Sequence, residues 1–167
     1  DAPNMRILKT SLASPDIKGA REIVPEQADA VLDGMSIVGG KLVLTYLEAA
    51  YNKIYVHDLK GKRLREISLP TIGAASNVIG EPDRPEAFFT FTSFTVPNQV
   101  YQTNLDTQET KLWAKIDVPI DPSPYKVEQV RYPSKDGTEV TMFVVTRKDI
   151  ELNSETPFIL YGYGGFN

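Results

Sequence analysis

Short apolar strands joined by polar turns recur along this chain at an interval in the forties, and that interval limits the fold more than any other feature. Val56-His57-Asp58-Leu59 runs into a turn and returns at Leu64, and Gln102-Thr103-Asn104-Leu105 does the same and returns at Leu112. A fainter copy, Lys9-Thr10-Ser11-Leu12, stands near the start. The three leucines Leu12, Leu59 and Leu105 are spaced by 47 and 46 residues. A period of that length built from short strands is the mark of propeller blades, each a small antiparallel sheet that buries its faces against its neighbours. An irregular β-sandwich would also accommodate two such intervals.

Strand patterns account for most of the chain. Apolar, β-branched and aromatic residues cluster or alternate over 41–47, 52–59, 63–69, 87–94, 99–105 and 111–116, with turn residues such as Lys60-Gly61 between them. Helical periodicity is confined to 26–32, a short stretch. The aromatic residues Phe88, Phe89, Phe91 and Phe94 suit a blade core. They could also stack bases, but no basic groove accompanies them.

The character changes at residues 117–124, where Pro119, Pro122 and Pro124 interrupt strand and helix alike. This stretch reads as a domain linker, with one unit over 1–118 and a second over 119–167. Strands are expected at 125–132 and 138–147. Asp136-Gly137 lies between them and signals a hairpin, with Ser134 as a turn former. A buried strand is expected at 157–160, leading into Tyr161-Gly162-Tyr163-Gly164-Gly165-Phe166-Asn167.

Composition removes several function classes. Net charge is −4 with no long run of either sign, so a basic nucleic-acid footprint is lacking. No apolar stretch reaches the length of a membrane span. There is no cysteine and a single histidine, which excludes disulfide frameworks and thiolate zinc sites. His57 reads as a solvent-facing strand residue. Carboxylates are scattered among turns, Asp16 to Lys18 and Asp83-Arg84 included, with no pair suited to acid–base work. No Gly-x-Ser-x-Gly elbow occurs. The absence of cysteine suits a cytoplasmic protein, and a periplasmic one is compatible as well.

The glycine-rich end carries the sharpest chemical signal. A strand that runs into glycines lets backbone approach a ligand closely. In α/β hydrolases the loop after an early strand supplies part of the oxyanion hole. A plain glycine turn with packed tyrosines is the alternative.

Taken together, Tyr132-Pro133-Ser134-Lys135-Asp136-Gly137-Thr138, Met142-Phe143-Val144-Val145 and Leu160-Tyr161-Gly162-Tyr163-Gly164-Gly165-Phe166-Asn167 resemble the start of the catalytic domain of the prolyl oligopeptidase family. Asp1-Ala2-Pro3-Asn4 with Arg6, and Phe91-Thr92-Ser93-Phe94 with Pro97, resemble that family's late propeller blades. The resemblance implies a mainly β segment: about three blades of a seven-bladed β-propeller, followed by the first strands of an α/β-hydrolase domain. It implies a serine endopeptidase that cleaves short peptides after proline by acyl transfer. Tyr163 would supply an oxyanion-hole hydroxyl, and Phe166 would line the pocket for the substrate proline. The nucleophilic serine, aspartate and histidine follow this segment in family order, so the chain alone is expected to be inactive. Short proline-containing peptides are the expected partners, without nucleic acid or membrane. No cofactor or metal is expected, and the parent protein is expected to be monomeric. Oligopeptidase B and acylaminoacyl-peptidase share the architecture and remain alternatives, as does a non-catalytic propeller interaction module.

Overall fold

The computed structural model describes residues 2–162. The regular elements among them are strands: β1 (Ile7–Lys9), β2 (Arg21–Val24), β3 (Ala30–Val38), β4 (Lys41–Glu48), β5 (Tyr51–His57), β6 (Arg63–Ile67), β7 (Ala74–Ala75), β8 (Ile79–Gly80), β9 (Glu86–Thr92), β10 (Gln99–Asn104), β11 (Thr110–Lys115), β12 (Tyr125–Pro133) and β13 (Glu139–Arg147). No helix occurs among the described residues. The stretch 26–32, expected as a short helix, instead leads into β3. Ala30 to Leu32 pair with β4, and the Leu32 N–H donates to the Asn4 carbonyl at 3.0 Å. One turn of helical pattern cannot outweigh a ladder that satisfies every backbone group.

The strands from β1 to β11 form the sheets of a propeller. β3-β4-β5-β6 is a four-stranded antiparallel meander. β11-β10-β9-β7 repeats the pattern, with β8 also pairing with β9. β1 and β2 form a two-stranded sheet ahead of them. The expected blades are therefore two full-depth sheets and a hairpin of a third. Leu59 and Leu105 occupy matching places: each directly follows an Asx residue, Asp58 or Asn104, at the turn after the third strand of its sheet. Leu12 lies in the corresponding β1–β2 loop.

Period-two alternation explains the packing. Leu42, Leu44, Tyr46 and Tyr55 pack with Ile7, Val24 and Ala30 on the β1–β2 side. Val43, Ile54, Val56 and Ile67 pack with Val78, Ala87, Phe89, Phe91 and Leu105 on the other side. Successive side chains point to opposite faces of a strand, so the β3–β6 sheet is buried on both faces, between its two neighbours. Full burial of each such side chain is worth about 1.5–3 kcal/mol. Of the phenylalanines expected in the core, Phe89 and Phe91 are buried. Phe88 is half-buried and Phe94 is exposed.

The turns have their own chemistry. Gly39 and Gly40 both take positive φ, 54° and 67°, as a two-residue hairpin loop between right-twisted strands requires. Their N–H groups donate to the Glu81 and Pro82 carbonyls at 3.1 and 2.7 Å, tying this turn to the loop before β9. Lys41 bridges to Asp106 at 2.6 Å across the same boundary.

After β11 the chain passes through residues 116–124. β12 and β13 then pair only with each other, from Tyr125↔Arg147 to Pro133↔Glu139. Ser134 is a turn residue, as expected: its N–H donates to the Thr138 carbonyl and its carbonyl accepts from Gly137. The buried strand expected at 157–160 does not form. Ile159 and Leu160 are 95% and 84% exposed, because no strand or face among the described residues packs against this apolar run.

Candidate functional site

The two residues assigned to the site by sequence, Tyr163 and Phe166, lie outside the described residues. What is described is the path that leads to them. β13 ends at Arg147, whose guanidinium makes a forked bond to Asp149: Nε to Oδ1 at 2.9 Å and Nη2 to Oδ2 at 2.7 Å. That bond holds the Asp149 carboxyl below its ordinary pKa. The Lys148 N–H donates to the Pro124 carbonyl and Lys148 Nζ to the Ser123 carbonyl, both at 2.8 Å. The end of β13 is thereby fastened to the linker before β12.

Asn153 and Thr156 close the next turn. The Asn153 N–H donates to Thr156 Oγ1 at 3.0 Å, and Asn153 Oδ1 accepts from the Glu155 N–H at 2.9 Å. Beyond it residues 157–162 form no regular element. Tyr161 is 85% exposed, and a Cβ at Gly162 would meet nothing within 4 Å.

His57, expected to face solvent, is instead buried at the end of β5, opposite Leu42 on β4 and Arg63 on β6. Its sheet is covered on both faces, so both alternating sets of side chains are enclosed. Its Nδ1 has no hydrogen-bond partner within the geometric limits among the described residues. Burial, more than any neighbour, lowers the imidazole pKa below its ordinary 6.5, and the nearby Arg63 guanidinium adds to the shift. A neutral imidazole enclosed by apolar strands has no nucleophile to serve.

The other candidates resolve as structure. Phe89 stacks on Tyr101 with centroids 5.5 Å apart, and the ring of Phe88 meets Trp113 edge-on at 5.5 Å. Among the described residues, no group of three or more His, Cys, Asp or Glu side chains is placed to hold a metal ion. A shallow concavity in the β1–β2 loop, lined by Lys9, Thr10, Ser11, Ser14, Asp16, Gly19 and Arg21, was not signalled by the sequence. Its residues come from a polar loop of ordinary composition.

Residues 1–116 match the prolyl oligopeptidase, N-terminal beta-propeller domain. A prolyl endopeptidase of Elizabethkingia miricola is 33% identical over the whole chain, and a prolyl oligopeptidase A of Amanita bisporigera is 32% identical over 99% of it. The chain spans 23% and 22% of the lengths of these relatives. Among solved structures, one of a pair of prolyl endopeptidases, studied for the role of inter-domain dynamics in catalysis and specificity, is 50% identical. It superposes with a TM-score of 0.80 over 90% of this chain and 22% of its own. Apo prolyl oligopeptidase B from Galerina marginata is 26% identical with a TM-score of 0.79, over 90% of this chain and 22% of its own. With the propeller sheets matched over most of its length, the chain belongs to the prolyl oligopeptidase family.

Proposed function

We propose that this chain is part of a serine endopeptidase that cleaves short peptides on the carboxyl side of proline, with residues 1–118 as propeller wall and 119–167 as the opening strands of the peptidase domain. The observation that carries this reading is the full-length similarity to enzymes named prolyl endopeptidase, which extends past the propeller into the glycine-rich run. In this reading the Tyr163 hydroxyl donates to the developing oxyanion and Phe166 lines an apolar pocket for the proline ring. The serine, aspartate and histidine come from elsewhere in the parent enzyme. The propeller limits access to short peptides.

The test is steady-state kinetics on the complete parent enzyme. Faster turnover of a proline reporter than of an arginine reporter is expected, which separates this reading from an oligopeptidase B. Tyr163→Phe keeps the ring and removes one donor. It is expected to lower kcat about 100- to 1,000-fold with little change in melting temperature. Wild-type turnover in Tyr163→Phe, or an equal loss in Tyr161→Phe, would remove Tyr163 from this role.

A further inference from the structure

Two Asp-Gly pairs occur in the chain, Asp33-Gly34 and Asp136-Gly137. Such a pair carries a latent reaction. The glycine amide nitrogen can attack Cγ of the preceding aspartate, because no Cβ hinders its approach and the glycine backbone turns freely. Which pair reacts depends on how the fold holds the carboxyl and the amide.

Asp33-Gly34 is locked in a sheet. Leu32 pairs with Tyr46 and Gly34 with Thr45, and Asp33 is the extra residue between them. The Asn77 side chain fills the space beside Gly34, where a Cβ would collide with it. Closing a ring here requires the Asp-Gly peptide plane to rotate. That rotation breaks the ladder with β4 and displaces Asn77.

Asp136-Gly137 lies in the β12–β13 turn, beyond the last ladder pair Pro133↔Glu139. Asp136 Oδ1 accepts the Thr138 N–H at 3.0 Å. A carboxyl bonded two residues ahead has its Cγ laid beside the peptide nitrogen between them, that of Gly137. The Gly137 N–H donates to the Ser134 carbonyl at 2.9 Å. Breaking that one bond frees the nitrogen, and the strand ladder stays in place. The Thr138 N–H is also aimed at the oxygen that gains negative charge as nitrogen adds to Cγ.

We infer that Asp136 is a site of spontaneous isoaspartate formation, and that the turn directs the reaction there in preference to Asp33. The neutral carboxyl is the electrophile. The Gly137 nitrogen bonds to Cγ, the Cγ–OH bond breaks, and water leaves with the hydroxyl and the amide proton, giving a cyclic imide. Water then adds to the imide. Cleavage at the Asp136 main-chain carbonyl leaves Gly137 joined through Cγ, an isoaspartyl link with a free α-carboxylate. Cleavage at Cγ restores aspartate. Hydrogen bonds from Thr138, its backbone N–H first, hold the carboxyl below its ordinary pKa, so the neutral acid is scarce and the reaction is slow. The isoaspartyl link adds Cβ to the main chain. The bonds between Ser134 and Thr138 and between Gly137 and Ser134 are spaced for an ordinary chain, so both are lost and the closed end of the hairpin opens as the molecule ages.

The test uses the complete parent protein, kept in warm, mildly acidic buffer and sampled over time. A protease that cuts before aspartate reads each site, since it does not cut before isoaspartate. Electron-transfer fragmentation of the uncut peptide distinguishes isoaspartate from a missed cut. The 121–148 peptide, uncut at Asp136, is expected to accumulate several-fold faster than the 29–57 peptide, uncut at Asp33. In guanidinium chloride, where the fold is lost, the two are expected to accumulate at similar rates. Gly137→Ala puts a Cβ beside the attacking nitrogen and is expected to slow the reaction at Asp136 several-fold. Equal accumulation at both sites in the folded protein overturns the directing role of the turn. Isoaspartate at Asp136 in the unfolded chain but not in the folded one overturns the site, and its absence from both overturns the chemistry.

Discussion

The β3–β6 sheet and the β12–β13 hairpin are made of similar residues and have opposite surroundings. Lys41–Glu48 and Glu139–Arg147 are both runs of β-branched and apolar residues in antiparallel pairing. In β4 five consecutive side chains are buried, from Leu42 to Tyr46. In β13 only Thr146 is. The difference is not in the strands but in what covers them. The first sheet has a sheet on either side; among the described residues the hairpin strands pair only with each other. Strand formation is a local matter, whereas burial depends on chain that is distant in sequence.

The sharpest way to break this comparison is to cut equally into both regions. Phe91 is fully buried between the sheets. Phe91→Ala is expected to cost about 4 kcal/mol by lost transfer energy and the cavity left behind. Val130 on β12 is 38% exposed, and Val130→Ala is expected to fall within about 0.5 kcal/mol of wild type. Urea unfolding of the two variants in the complete protein checks this. Equal losses would mean that the hairpin is as enclosed as the blade.

A finer test uses two glycines in turns of the same design. Gly61 donates its N–H to the Asp58 carbonyl at 3.0 Å, and the Asp58 N–H donates to the Lys62 carbonyl at 2.9 Å. Gly137 and Ser134 repeat both bonds, with Thr138 in the place of Lys62, at 2.9 and 2.8 Å. Both glycines hold a left-handed φ, 93° and 84°. A Cβ at Gly61 would sit 1.7 Å from the Ile23 carbonyl oxygen, whereas one at Gly137 would meet nothing within 4 Å. Gly137→Ala should therefore show the backbone cost alone, about 1 kcal/mol. Gly61→Ala should add displacement of β2 and reach about 3 kcal/mol. Thermal unfolding of the pair separates conformation from context, and a common cost would show that the β2 backbone yields freely.

These turns also show what could be read from residues alone. Lys60-Gly61 and Asp136-Gly137 announce their hairpins because only certain residues tolerate that backbone. The strands around them, β4 to β6 and β9 to β13, were legible for the same local reason. β3 was not, because Asp33, Gly34 and Ser36 interrupt its pattern. It exists through pairing with β4, and Gly34 leaves the space that the Asn77 side chain occupies. The run at 157–160 failed in the opposite direction, with strong apolar character and no neighbour to receive it. The hydrogen bond from Gln129 to the Ala49 carbonyl was invisible in sequence, since nothing local relates the two residues. The candidate residues Tyr163 and Phe166 were legible only as a motif, and no described geometry bears on them.

The smallest expected effect concerns protons, and it too divides the two regions. His57 is buried in the β3–β6 sheet with a pKa lowered chiefly by burial. Around it stand Tyr55 on its own strand and Asp58 in the following turn, the Tyr55 backbone and the Asp58 charge both favouring protonation, and Arg63 on β6, which opposes it. Because the unfolded chain binds the proton more tightly than the folded one, stability falls as pH falls. The contribution is fully present above the ordinary value of 6.5 and is lost as pH drops through the lower folded value. The hairpin has no histidine. Its turn carboxylate Asp136 is lowered by the Thr138 N–H, so that contribution is present above the ordinary carboxylate value and is lost only in more acidic solution. Between pH 7 and 5.5, acid should therefore loosen the blade sheet while leaving the hairpin's exchange rates set by intrinsic chemistry. Hydrogen exchange of 51–57 and 139–147, followed across this range, reads the two separately. His57→Leu removes the titrating group and fills the same apolar site, so it is expected to flatten the dependence at 51–57. A slope that survives His57→Leu would assign the acid sensitivity to another group, and a slope at 139–147 of the same size would show that the two regions open together.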